Sequence, residues 1–306
     1  MPADLPGTFF TAPPRFGWLI VLYFFIGGIA GGALMLAGLL RLAGRPADRP
    51  YVQIASLLAL GGAAISGLLL IADLSAPLRF WHMVLQNHTG LPMFKWWSAM
   101  SDGVWILVVF SFFAAGAAIE SLSHGRLTVL HRFRFLARPP FLTLGAVGGI
   151  VTGLALAGYT GVLLSETNRP LWSDSSWLGI VFLFSAVSTA LASLLLLSHW
   201  RRVEVAATNE WLSRFDTITL VLELLAIVCF LLSLGNALQA LLNAWGALLV
   251  VGVILVGIVA PFVLQRRPNH SVVVPAVLVL VGGLLLRTVI LLSSERIHVV
   301  GTQVFR

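Results

Sequence analysis

Eight times along the chain, an apolar run long enough to cross a bilayer gives way to a short polar or basic stretch. A transmembrane helix needs roughly 20 such residues at about 1.5 Å of rise each. The runs predict spans at about 17–40, 51–73, 102–122, 141–165, 177–200, 214–234, 244–265 and 272–292. The fold class this implies is all-α: a polytopic membrane protein with eight helices in a bundle, forming one integral-membrane domain over residues 1–306. Two connections stand out against the apolar background. Residues 74–101 are rich in tryptophan and histidine, and residues 166–176 open with Glu166, Thr167, Asn168 and Arg169 before Pro170. The leading segment MPADLPGTFFTAPPR lacks the basic start and small-residue cleavage site of a signal peptide, so the first span is read as retained. No soluble domain, low-complexity tract or internal repeat is visible.

Composition agrees with this class. Hydrophobic residues make up 58% of the chain and charged residues 10%, with mean hydropathy +0.97. A soluble domain carries about 25% charged residues. The lone cysteine, Cys229, excludes a disulfide within the chain and any Cys-ligated iron–sulfur or zinc site. The formal net charge of +7 does not call for nucleic acid, because the arginines fall in the connections. Twelve lie in the 1–2, 3–4, 5–6 and 7–8 loops, among them Arg41, Arg45, Arg49, Arg132, Arg201 and Arg266. Six basic residues lie on the opposite side (Arg15, Arg79, Lys95, Arg169, Arg296 and Arg306), and Arg287 is inside a span. The positive-inside rule then puts the twelve in the cytoplasm and both termini outside, in the periplasm of a bacterial inner membrane. Residues 74–101 and 166–176 share that outer face.

Polar groups in or near the bilayer are costly and need a reason. Asp73 ends the second span and Asp102 begins the third. Tyr159 lies one to two turns below the outer end of the fourth span, and Glu166 marks that end. Tyr159, Val162 and Glu166 are three to four residues apart, so they share a helix face and can address one cavity. The plainer reading makes Tyr159 an interfacial belt aromatic and Glu166–Arg169 a local ion pair. Deeper lie Glu223 and Arg287. They can neutralise each other, form part of a proton relay starting near Glu120, or line water separately. The glycine pairs in FFIGGIAGGALM (Gly27, Gly28, Gly31, Gly32) and Gly149 with Gly153 fit close helix packing, or a floor beneath a flat ligand.

Histidine placement argues against bound haem. None of His82, His88, His124, His131, His199, His270 and His298 is central in a span. A transmembrane b-type haem takes axial ligands from the membrane interior. The chain is therefore expected to hold no metal redox centre of its own.

The stretches YFFIGGIAGGALMLAGLLRL, DLSAPLRFWHM, FKWWSAMSDGVWIL and YTGVLLSETNRPLW resemble the NrfD/PsrC family, the membrane subunits of respiratory molybdopterin oxidoreductases such as polysulfide reductase. The resemblance runs from about residue 17 to 200 and is densest over 158–190. It departs from the family's frequent DLGRP at Asp73-Leu74-Ser75-Ala76-Pro77, and from SPMS at Ser98-Ala99-Met100-Ser101. It implies eight or more helices, no haem and a quinone (menaquinone or ubiquinone) as substrate near the outer face. It also implies a ferredoxin-like iron–sulfur subunit that passes electrons to or from a molybdopterin catalytic subunit. Alignment on GGIAGG brings the family's first-helix quinone contact to Tyr23.

Quinone exchange needs donors to two carbonyl oxygens, an apolar slot and a route for two protons. Tyr159, Asp73 and Glu166 are the expected catalytic groups, and Tyr23, Tyr159, Thr160, His82 and Asp102 the expected ring and pocket contacts. Asn168, Arg169 and Trp172 are expected to face the partner subunit or cap the pocket, and Glu120, Glu223 and Arg287 to lie on a proton path. A secondary transporter and a purely structural anchor are the competing readings.

Overall fold

A computed structural model describes residues 16–123, 128–167, 169, 171–203, 205–267 and 271–293. Asn168 lies outside the described residues, as do Arg15, Arg126, Arg296, Arg306, His124, His270 and His298. Eight helices are long and apolar enough to cross a membrane. They are α1 (Trp18–Ala43), α2 (Arg49–Asp73), α3 (Ala99–Ser123), α4 (Phe141–Ser165), α5 (Leu178–Trp200), α6 (Ala206–Ser233), α7 (Ala244–Gln265) and α8 (Val273–Ser293). Among the described residues no β-strand forms; Leu85 and Pro92 make an isolated bridge.

The helix ends follow local chemistry. Gly44 closes α1 in the left-handed region at φ 69°, its N–H donating to the Arg41 carbonyl, a cap that costs a side-chain-bearing residue more. Pro50 sits in the first turn of α2, where its missing N–H breaks no helical bond. Two departures from the hydropathy pattern are informative. Helix α6 begins at Ala206, eight residues before the expected start, because its polar first turns are held by tertiary hydrogen bonds. Thr208 donates to Asp48, and the Tyr51 hydroxyl donates to Asn209 at 2.7 Å. Helix α7 is wound as a π-helix over Leu249–Val259, which hydropathy does not register.

Helices α1 and α5 are central. In the most apolar stretch of each helix, 72% of residues are buried in α1 and 67% in α5, against 28% in both α3 and α4. Helix α1 packs on α2, α4, α5 and α8. Its glycines allow this closeness: a Cβ on Gly31 would stand 2.7 Å from the Gly153 carbonyl, and one on Gly32 2.6 Å from the Ala190 Cβ. The motif thus serves helix packing, the plainer of its two readings. Helices α3 and α4 flank this centre and leave Phe112, Leu144 and Val151 exposed on the lipid side. They also carry the chemistry described next.

Candidate functional site

The final turns of α4 and the first turns of α3 meet beneath the tryptophan-rich connection. They enclose a cleft of about 640 Å³ lined by Trp96, Trp97, Ala99, Asp102, Tyr159 and Glu166. Ile106, Leu154, Ala155, Gly158 and Val162 complete its apolar wall. Helical spacing does the assembly: Ala155, Gly158, Tyr159, Val162 and Glu166 fall along one stripe of α4. Leu154, Val162, Trp96 and Trp97 are partly exposed at its rim, so the cleft opens sideways toward lipid.

Tyr159 is held firmly within it. Its hydroxyl donates to the Ala99 carbonyl at 2.6 Å, and only 8% of the residue is exposed. Gly103 makes the room. A Cβ there would lie 2.0 Å from the Tyr159 hydroxyl oxygen and 2.1 Å from its ring carbon. No side chain fits at 103 unless the phenol moves. Asp102, half-buried, and Tyr23, buried, lie within electrostatic reach of Tyr159.

The expected site residues therefore divide. Tyr159, Asp102 and Glu166 share the cleft. Tyr23 stands behind Tyr159 in the packed core and does not line the cleft. Thr160 is a correction: the next residue along α4 is turned away, fully buried, with its hydroxyl donating to the Ala157 carbonyl at 3.2 Å. Asp73 is exposed at the end of α2 and is not part of the cleft. His82 lies in the short 3-10 segment Pro77–Met83, half-buried against Trp81, likewise apart from it.

The expected partner surface also needs correction. Trp172 is fully buried. Its indole N–H donates to the Ile290 carbonyl at 2.8 Å, and its ring stacks on Phe16 at 5.4 Å. The Arg169 guanidinium lies 5.2 Å over that ring and the residue is 6% exposed. An indole with no free surface ties Trp172 to α8 and itself offers nothing for a second protein to touch. The neighbouring Leu171, buried at φ 76°, is a strained position for a residue with a side chain.

A second polar set lies in the core between α5, α6 and α8. Arg287 is fully buried. It donates to the Phe24 carbonyl at 3.0 Å, the Ser185 hydroxyl at 3.0 Å and the Gly283 carbonyl at 2.8 Å. A Cβ on Gly28 would be 2.8 Å from its second terminal nitrogen, so this glycine admits the guanidinium. Glu223, 4% exposed, is its electrostatic partner and adjoins Ser185 and Ser188. Asp216, one side of which accepts from Gln265 at 2.6 Å, adjoins Ser188 from below. Glu120 does not join this set. It pairs with Arg41 at the arginine-rich end of α3, and α3 packs chiefly on α2 and α4, away from the elements that carry Glu223 and Arg287.

Sequence reasoning missed Gly103, the tryptophan and aliphatic walls of the cleft, and Asp216. Trp96 and Trp97 in the string KWWSAMSDG were the signal for the tryptophan wall; nothing local marked Gly103, whose role depends on α4. The late start expected for α6 hid the third, since it sets Asp216 only two residues into a span at about 214–234. From Ala206 it lies about 15 Å along the helix. Among the described residues no group of three His, Cys, Asp or Glu is placed to hold a metal ion.

Comparison with known proteins covers nearly the whole chain. The family model described as "Polysulphide reductase, NrfD" matches residues 8–298. Protein NrfD of Escherichia coli K12 is 28% identical, over 91% of this chain and 94% of its own length. A protein NrfD homolog of Haemophilus influenzae is 25% identical, over 96% and 99%. The C subunit of polysulfide reductase from Wolinella succinogenes is 25% identical, over 91% and 93%.

Proposed function

The chain belongs to the NrfD family of polysulphide-reductase-type membrane subunits, and from that premise we propose that it is the quinone-reactive subunit of a respiratory oxidoreductase complex. In this reading it exchanges electrons between membrane quinone and a ferredoxin-like iron–sulfur subunit, which in turn serves a molybdopterin catalytic subunit. The observation that carries the proposal is the Tyr159 cleft: a phenol, two carboxylates and an aromatic wall, open to lipid.

The residues fit a quinone by their chemistry. Trp96 and Trp97 offer flat apolar surface to a ring, and the slot between α3 and α4 accepts an alkyl tail arriving from the bilayer. The Tyr159 hydroxyl can donate to a quinone carbonyl in place of Ala99. Oxidation of a quinol releases two electrons and two protons; Asp102 and Glu166 stand where the protons leave. The electrons pass to the partner's clusters. Leu78 and Leu91, exposed in the 74–98 connection, supply apolar surface for that subunit. Glu223 and Arg287, with Asp216 added and Glu120 removed, form the candidate proton path.

Quinone should be extractable from the purified complex, and quinol should reduce its iron–sulfur centres. Tyr159→Phe should slow that reduction about 10- to 100-fold while the subunits still co-purify. Unchanged quinol turnover in Tyr159→Phe would remove Tyr159 from the site. A complex with neither bound quinone nor quinol reactivity would be a structural anchor.

A further inference from the structure

A cleft of about 590 Å³ at the arginine-rich end, between the α1–α2 connection and the end of α3, belongs to neither polar set described above. Its ionisable lining is Arg41, Arg45, Arg49 and Glu120, three guanidinium groups against one carboxylate, so two positive charges are left over. Arg41 is tied down: its terminal nitrogen donates to the Ala117 carbonyl at 2.7 Å and to Glu120. Its side chain is only 7% exposed, yet its Nε is enclosed with no hydrogen-bond partner. Arg45 and Arg49 are exposed and enter no ion pair or side-chain hydrogen bond among the described residues. The two exposed guanidinium groups therefore line a cavity with a surplus of positive charge.

The cleft has an apolar continuation. A narrow groove of about 60 Å³ shares Arg41, Glu120 and Leu142 with it and runs between α3 and α4 past Phe112, Phe113 and Phe141. Phe112 and Phe141 are exposed on the lipid side. A cationic chamber at the membrane surface that leads into an aromatic groove along the hydrocarbon matches one kind of ligand: an anionic head on an alkyl chain. Basic pockets between transmembrane helices hold acidic phospholipid heads by the same chemistry.

We propose that this cleft binds the phosphate diester of an anionic phospholipid, with Arg45 and Arg49 on the phosphate and one acyl chain entering along the Phe112–Phe141 groove. A free phosphate shares the head-group chemistry but makes no use of the groove.

The test uses the full-length protein, purified as assembled in the membrane and placed in nanodiscs of equal phosphatidylglycerol and phosphatidylcholine. Native mass spectrometry then counts the lipids retained on ejection. The wild type should retain phosphatidylglycerol over phosphatidylcholine. Arg45→Gln with Arg49→Gln should weaken that retention roughly five-fold per arginine, about 25-fold together. The control pair Arg201→Gln with Arg202→Gln, exposed at the same end of the bundle, should leave it unchanged. Equal retention of the two lipids, an equal loss in the control pair, or displacement by millimolar inorganic phosphate would each overturn the proposal.

Discussion

The Tyr159 cleft and the Arg287 interior both place polar groups in an apolar bundle, but they solve opposite problems. In the cleft, Asp102 is half-buried and Glu166 exposed, so their charge keeps access to water or headgroups and costs little. Between α5, α6 and α8, Arg287 and Glu223 are sealed in, and the charge survives only because Phe24, Ser185 and Gly283 accept its hydrogen bonds. The first arrangement leaves room for a ligand; the second leaves none around the guanidinium. A bundle that binds a substrate at its rim can therefore still depend on its core charge for assembly.

The largest expected effect breaks the interior side of this contrast. Arg287→Met keeps most of the volume but leaves Glu223 buried without its cation. Removing one partner of a buried charge set costs about 3–5 kcal/mol. The variant should lose thermal stability in detergent and accumulate poorly in the membrane. If Arg287→Met is as stable as the wild type and loses only proton-coupled activity, the arginine is part of a transport path and not a structural counter-charge.

Next in size is Gly103→Ala, which breaks the cleft side. The added methyl would meet the Tyr159 hydroxyl oxygen at 2.0 Å, so the phenol must leave its place above Ala99. Misplacing a reacting group by about 1 Å can cost 10²-fold in rate. Quinol-driven reduction should fall by about that factor. Stability should drop by about 1–3 kcal/mol, the usual cost of overpacking. A variant with normal turnover would mean that the position of Tyr159 does not matter to the chemistry.

Much of this architecture was legible in the sequence because the bilayer leaves few choices. Apolar runs of bilayer length fix the existence of spans, and seven of the eight starts fall within about three residues of those expected. The start of α6 failed because Thr208 and Asn209 are polar for tertiary reasons, their partners being Asp48 and Tyr51 far away in the sequence. Helical spacing correctly brought Tyr159 and Glu166 to one cavity, since both lie on α4. It could not assign Thr160 or Trp172 from chemistry alone. One residue along a helix turns a side chain by about 100°, which separates buried Thr160 from the cleft. The burial of Trp172 depends on α8, which reaches it only through the fold. Gly103 was illegible for the same reason: its role is the space it leaves for a phenol 56 positions later.

The smallest effect sharpens the comparison within the cleft itself. Asp102 is half-buried and within electrostatic reach of Tyr159, whereas Glu166 is exposed at the rim. If the less solvated carboxylate takes the first proton, Asp102→Asn should lower quinol turnover about 10-fold or more, and Glu166→Gln about two- to three-fold. Water can replace an exposed acceptor far more readily than a half-buried one. Steady-state rates with quinol, measured for both variants in one complex preparation, decide the order. A reversed order would move proton release to the rim, leaving Asp102 to act on Tyr159 through its charge alone.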